Sequence, residues 1–337
     1  MMKAPWHVRA GSAMVALWLG MATAFAAESA KEPVKITIAS FQVGSSWYVY
    51  SVTLGRILGT VLPKGSTIDT PPLGGGSANT RLVEEGKATM GFSHALANRW
   101  AAAGNVAYDK PMPHLRGLVG GLDVYYLAVI ASGKNAGPDL ETYFKKDKPN
   151  ARVDLNPPGS IATYAGRLEL ELAGAGPDEL KEHGGSMNLV PASVIHDDIT
   201  SGRADAFVNI ITVGHPLTTQ ITQVHDVTFL QPSAKLLDDM RSKYGFGAAV
   251  LPKGSFRGQD RDIELPSTVT ALIARDDMPE WLAYDITKAV CEHTEQLVAA
   301  TKALKDFKPE DAWRPENVNL PLHPGAARYY RERGWLK

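Results

Sequence analysis

Strand-like and helix-like runs alternate along nearly all of the chain after residue 33, and this alternation constrains the fold more than any other feature. The strand candidates are "VKITIAS", "TIDTPPL", "ATMGFSH", "LRGLVGGLDVYYLAVIA", "ARVDLNP", "NLVPA", "ADAFVNI", "DVTFL" and "STVTALIAR". Helical patterns separate them, notably "VYSVTLGRILGTVL", "ANTRLVEEG", "IATYAGRLELELAGA", "SVIHDDITSG" and "MPEWLAYDITKAVCEHTEQLVAATKAL". Parallel strands need a crossover, and a helix is the usual one, so this order predicts βαβ units, a mainly parallel sheet and an α/β architecture.

An internal echo supports that reading. "RLVEEGKATMGFS" and "DDITSGRADAFVNI" both run helix, Gly, basic residue, Ala, one more residue, then a buried-looking strand. Gly86 and Gly202 fit the position just past a helix end, where φ is positive, and Lys87 or Arg203 sits beside the negative end of the helix dipole.

Three Gly-Ser steps occupy strand-to-helix turns: "VGSS" at 43–46, "GGGS" at 74–77 and "PPGS" at 157–160. At such a step the serine caps the helix, and glycine lets backbone N–H groups and the positive helix end face an anion. In open α/β sheets ligands bind outside the carboxyl ends of the strands, where these turns lie. The first step continues into "WYVY", and aromatic residues at a turn are either buried or offered to something that binds. A gap between two lobes would bring the three turns together.

The first 30 residues have Lys3 and Arg9, then an apolar stretch from about Ala13 to Met21, then "AFA" at 24–26. This is the pattern of a secretory signal peptide, expected over residues 1–26, and the stretch is too short to span a bilayer. Without it, 33 basic residues face 36 acidic ones, a formal charge of −3. That balance excludes the basic stripe a nucleic-acid partner would need. The single Cys291 allows no internal disulfide, so stability must come from the core.

Catalytic patterns are missing. "GGGSAN" and "GFSHAL" both fail the G-x-S-x-G elbow. Ser93 and His94 are neighbours in a strand and point to opposite faces, which suits no nucleophile–base pair. There is no phosphate loop, no G-x-G-x-x-G after the first strand and no H-E-x-x-H. "HDD" at 196–198 reads as a solvated helix face, and Cys291 as a buried, inert thiol. The expectation is a protein that is not an enzyme, with no cofactor and no metal.

The quoted stretches resemble the TAXI solute receptors of TRAP transporters. "VKITIASFQVGSSWYVYSVTLGRILGT" is similar to their opening strand, Gly-rich loop and tyrosine-led helix. "PLGGGSANTRLVEEGKATMGFSHALANRWAAAG", "GRADAFVNIITVGHPLTTQI" and "LPLHPGAARYYRERGW" resemble three later blocks, in the same order. The resemblance runs from about residue 34 to the end. It implies a two-lobed periplasmic-binding-protein fold of the type II kind, each lobe a mainly parallel sheet flanked by helices, with two hinge crossings. Lobe I is expected at 34–121 plus 276–337 and lobe II at 122–275, with crossings at "GGLDVYYL" and "STVTALIA".

Carried over by position, the resemblance implies a solute site of Gly44, Ser45, Ser46, Trp47 and Tyr48, with Ser77 and Asn79 from the second block. Ser93, His94 and Asn98 follow the next strand, and Ser160, Thr163 and Asn209 come from lobe II. It further implies a monomeric periplasmic receptor that hands a small organic solute to a TRAP membrane permease. Helix N-termini with capping serines, and Arg99 as a clamp, point to a carboxylate. The chain departs from the family pattern where Gly44, Ser45 and Ser46, followed by Trp47, stand in place of Thr-Gly-Gly, and at "SHALANRW", so the identity of the solute does not carry over. A binding protein serving a membrane sensor kinase and an exported hydrolase are the alternatives from other classes. The C-terminal "LHPGAARYYRERGW" is expected to be packing, with Pro324 at a helix start.

Overall fold

Two long strands organise the sheet, and everything else pairs outward from them. The computed structural model describes residues 1, 31–41, 43, 45–72, 74–134, 137 and 139–337. The expected signal peptide, Met1 apart, and Gly44 lie outside the described residues.

The strands are β1 (Lys35–Ala39), β2 (Thr67–Asp69), β3 (Met90–His94), β4 (Leu115–Val119), β5 (Val124–Ser132) and β6 (Arg152–Leu155). They continue with β7 (Ser186–Leu189), β8 (Ala206–Ile211), β9 (Val227–Phe229), β10 (Gly247–Leu251) and β11 (Ile263–Arg275). The main path is β2-β1-β3-β11-β5-β8-β6-β7, with β4 and β10 also on β11 and β9 on β5. Parallel ladders form at β1–β2 and β1–β3 in the first half, and at β6–β7 and β6–β8 in the second. These are the expected βαβ units. The pairings through β5 and β11 are antiparallel, so the sheet is mixed rather than mainly parallel. The physical reason is that both long strands carry the chain between the halves, and a strand returning along its neighbour needs no helical crossover.

β11 changes partners along its length. Thr270 to Ala274 pair with β3 of the first half, whereas Ser267 to Val269 pair with β5, beside the second half. The exchange point is therefore Val269–Thr270, six residues before the boundary expected after Arg275. The other passage runs through residues 120–123 between β4 and β5, where Gly121 takes φ +68°. The stretch read as one long strand from Leu115 is thus broken there.

The helix α1 (Ser46–Val61) starts at Ser45, whose backbone is extended and whose Oγ accepts the Tyr48 N–H at 3.2 Å. Its buried residues Trp47, Tyr50, Leu54, Ile57 and Leu58 recur at helical spacing and face the first-half core. The helices α2 (Ala78–Glu84) and α3 (Ala95–Ala103) follow the second Gly-Ser turn and β3. Gly86 and Gly202 take φ +68° and +73° just past helix ends, as their pattern requires. The long C-terminal helical pattern breaks at His293 into Glu280–Glu292 and Thr294–Ala300, where the His293 ring bonds the Ala289 carbonyl at 2.9 Å. β10 had no recognisable strand pattern and completes the edge beside β11.

One apolar cluster is continuous across both halves, from Val83, Leu96 and Trp100 to Val129, Leu155 and Ile161. Residues 33–337 accordingly pack as one unit. The C-terminal segment is packing, with His323 capping the helix Pro324–Glu332 and Tyr330 donating to the Leu118 carbonyl at 2.8 Å. Cys291 is buried, and burial pushes its thiol up to about 12.

Candidate functional site

The second and third Gly-Ser turns, far apart in sequence, touch. Ser77 Oγ donates to the Gly159 carbonyl at 3.2 Å. A Cβ placed on Gly76 would lie 3.0 Å from that same oxygen and 3.7 Å from the Ser160 Cα. Glycine at position 76, at φ +51°, is what lets the two turns approach so closely. Arg81 fixes the Ser77 hydroxyl from the other side, donating through Nη1 at 3.0 Å, while its Nη2 holds the Ala107 carbonyl and its plane lies over the Tyr108 ring.

The first turn joins the second through the end of β1. Ser40 bridges Gly74, and the Phe41 ring lies against Gly75, where any Cβ would strike it. Asn79 locks this arrangement: Nδ2 donates to the Ser40 and Phe92 carbonyls at 2.7 and 2.8 Å, and Oδ1 accepts the Gly75 N–H at 2.7 Å. The end of β1 at Ser40 and Phe41 is thus held to the 74–77 turn. The 157–160 turn, at the carboxyl end of β6, is brought against the 74–77 turn. Two helices start at these turns, α1 and Ile161–Ala173, the latter capped by Ser160 accepting the Ala162 N–H at 3.2 Å. The positive end of Ile161–Ala173 lies beside the contact between the second and third turns.

The residues expected to hold a solute divide accordingly. Ser45, Ser46, Tyr48 and Ser160 remain part-exposed at the junction. Ser77 is 2% exposed and forms the contact between the turns. Asn79 has its donors and acceptor all engaged inside the protein and buttresses the second turn. Thr163 is likewise committed, donating to the Asn156 and Pro157 carbonyls at 2.6 and 3.0 Å, which holds the third turn in shape. Ser93 is fully buried and bonds only the His94 carbonyl. Asn98 is fully buried too; its Nδ2 donates to the Val318 carbonyl at 2.8 Å. Asn209 is nearly enclosed within β8, where its Oδ1 accepts from Asn156 Nδ2 at 3.0 Å. Arg99 is exposed and lies against Gly245, so the expected clamp is not at the junction. One position along a helix is about 100° of rotation, which turns Arg99 outward as Asn98 turns in.

Trp47 corrects the expectation in another way. It is 5% exposed within the first-half core, and its indole Nε1 donates to Thr270 Oγ1 at 3.0 Å. Its ring tilts against His94 at 4.7 Å, and His94 in turn meets Tyr125 edge-on at 4.7 Å. Burial drives the His94 imidazole down to about 3, so it is neutral near pH 7, and its Nδ1 has no partner among the described residues. Tyr125 stays part-exposed.

Sequence reading missed the Tyr50–Asp123 pair. Tyr50 Oη donates to Asp123 Oδ2 at 2.7 Å, and Asp123 Oδ1 is buried without a partner among the described residues. Burial pushes this carboxyl up to about 6, against the lowering effect of its hydrogen bonds. The available signal was a lone acid between the apolar runs of "GLVGGLDVYYLAVIA" with no basic residue near it in sequence.

The part-exposed groups at the turns are thus the hydroxyls of Ser45, Ser46, Tyr48 and Ser160, at the starts of α1 and Ile161–Ala173. Among the described residues, no group of three or more His, Cys, Asp or Glu is placed to hold a metal ion. This is chemistry for holding a polar solute by neutral donors. Residues 38–334 match the NMT1-like family. The chain belongs to the NMT1-like family. Its fold is similar to that of MatC from Rhodopseudomonas palustris with bound malate, at 15% identity and TM-score 0.51, covering 90% of this chain and 97% of MatC. It is similar also to PhnD1 from Prochlorococcus marinus in complex with methylphosphonate, at 12% identity and TM-score 0.52, covering 81% of this chain and 88% of PhnD1. This NMT1-like chain therefore shares a mixed α/β fold with MatC and PhnD1.

Proposed function

We propose that this NMT1-like protein is an extracytoplasmic solute receptor of the TAXI kind, which captures a small organic carboxylate between two lobes and delivers it to a TRAP-type membrane permease. Lobe I is 34–121 with the C-terminal segment, and lobe II begins at about residue 122; the crossings lie at residues 120–123 and at Val269–Thr270. The observation that carries the reading is the Ser77–Gly159 contact, which joins a glycine-serine turn of one lobe to that of the other beside two helix N-termini. Helix ends and hydroxyls compensate a carboxylate without a buried cation. MatC, with bound malate, and PhnD1, in complex with methylphosphonate, both hold small anions on this fold. A site with donors but no nucleophile–base pair binds rather than turns over. The signal-peptide pattern at 1–26 supports export to the periplasm, where we read the mature protein as a monomer.

A ligand that touches both lobes shifts the population towards the closed form, which the permease reads. Native mass spectrometry of the purified protein tests the reading directly. The expected result is a retained carboxylic acid of a few hundred daltons at one per chain, and thermal stabilisation by about 2.7 kcal/mol at a hundredfold excess over Kd. Turnover of the added compound, or no stabilisation across a broad panel of organic acids, overturns it.

A further inference from the structure

The two crossings and the capture helix meet at one carboxyl group. Leu122 N–H donates to the Thr270 carbonyl and Thr270 N–H to the Asp123 carbonyl, both at 3.1 Å, so the passages lie side by side at this point. Thr270 also receives the Trp47 indole, and Asp123 the Tyr50 hydroxyl, and both aromatic residues belong to the first turns of α1. Tyr50 stands on α1 of the first half and Asp123 in the passage to the second, so their hydrogen bond spans the point where the halves connect. The Asp123 side chain is 5% exposed, with one oxygen held by Tyr50 and the other, near Thr270, without a hydrogen-bond partner among the described residues.

The groups packed around it supply no counter-charge. α1 presents Tyr50 and Ser46, β5 presents Tyr125, β11 presents Thr270, β3 presents the neutral His94 behind Tyr125, and the neighbouring apolar wall is Phe92, Leu122 and Leu54. No lysine, arginine or histidine forms an ion pair with Asp123 among the described residues. An ionised carboxylate in that position is costly when the crossing is closed and dry, and cheap once water reaches it.

We propose that the Asp123 carboxyl is a proton-operated hinge element: it takes up a proton as the lobes close and releases it as they part. Closing is then favoured by acid and opening by neutral or alkaline conditions. The proton moves between bulk water and Asp123 Oδ1, with no other group required. The inference rests on the two-lobed capture reading, but its test uses no solute, so the two can fail separately.

The experiment is hydrogen–deuterium exchange of the dialysed mature protein, following the amides of Leu122 and Thr270, at about pH 7.5 and about pH 5 after correction for intrinsic rates. A closed-state value near 6 against an ordinary carboxylate value when open predicts roughly tenfold greater protection at the lower pH. Asp123→Asn, a permanently neutral isostere, is expected to show high protection at both values. Equal protection of the wild type at both values, or an unchanged pH response in Asp123→Asn, overturns the proposal. Should Asp123→Asn fail to fold, Tyr50→Phe decides: loss of the hydroxyl that favours the charged form must move the response to higher pH. An unmoved response in that variant is also fatal.

Discussion

Trp47 and Thr270, 223 positions apart, are joined by a 3.0 Å hydrogen bond from indole to hydroxyl, which ties the start of α1 to β11, the strand that pairs with both β3 and β5. A tryptophan beside a Gly-Ser turn reads as a solute-covering ring. The fold instead spends it on the core, with only its neighbours Ser46 and Tyr48 left part-exposed. Trp47→Ala is therefore expected to lower the stability of the unliganded protein by roughly 3–5 kcal/mol, through a cavity and an orphaned hydroxyl. Urea unfolding checks this; a loss below about 1 kcal/mol would return Trp47 to the solute face.

His94 and Asp123 give opposite pH slopes. The His94 value is lowered from 6.5 to about 3 by burial, so the unfolded state binds the extra proton and stability falls as pH drops through 6.5. The Asp123 value is raised from 3.8 to about 6 by burial, so its contribution is full below 3.8 and is lost as pH rises towards 6. Between pH 7 and pH 5 the two amount to roughly 2 kcal/mol lost and roughly 1.4 kcal/mol gained. Relative to wild type, Asp123→Asn should lose more stability over that interval, and His94→Asn should gain. Denaturant titrations at both values, compared between variants, read the difference; parallel curves for all three proteins would contradict the assignment.

What the sequence made legible follows from range. Capping serines, positive-φ glycines and the alternation of periods are local, and Ser45, Gly86, Gly202 and the parallel ladders stand where such signals put them. Whether a polar side chain faces a solute or the protein depends on partners far along the chain. Asn79 is spent on the Ser40 and Phe92 carbonyls, 39 and 13 positions away, and Asn98 on Val318, 220 positions away. The antiparallel passages escaped for a related reason. β5 and β11 are buried along most of their length and so carry the continuous apolar run of a parallel strand.

Gly325 shows how tightly the C-terminal helix is docked. A Cβ there would fall 2.1 Å from the Glu280 carbonyl oxygen and 2.8 Å from the Tyr284 nitrogen, both backbone atoms that cannot swing aside. Gly325→Ala should thus destabilise by about 1–3 kcal/mol or more despite being a helix-favouring change. A thermal melt suffices. An unchanged or raised midpoint would mean that the helix slides freely on Glu280–Glu292.

The same reasoning separates closure from folding at Gly76. Its added Cβ would meet the Gly159 carbonyl at 3.0 Å, a contact made only when the turns are together. Bulk at this position penalises the closed arrangement, while the open one retains space and bears mainly the strain of φ +51°. Gly76→Val is expected to weaken binding of the retained solute at least tenfold, with a loss of about 1–3 kcal/mol in unliganded stability. Ser77→Ala, which removes one hydrogen bond from hydroxyl to carbonyl, should weaken binding by up to about tenfold and leave the unliganded melt nearly unchanged. Calorimetric titration with the solute found by mass spectrometry gives both numbers. If Gly76→Val binds as tightly as the wild type, the contact between the turns has no part in capture, because no closed form that includes it could accommodate the new side chain.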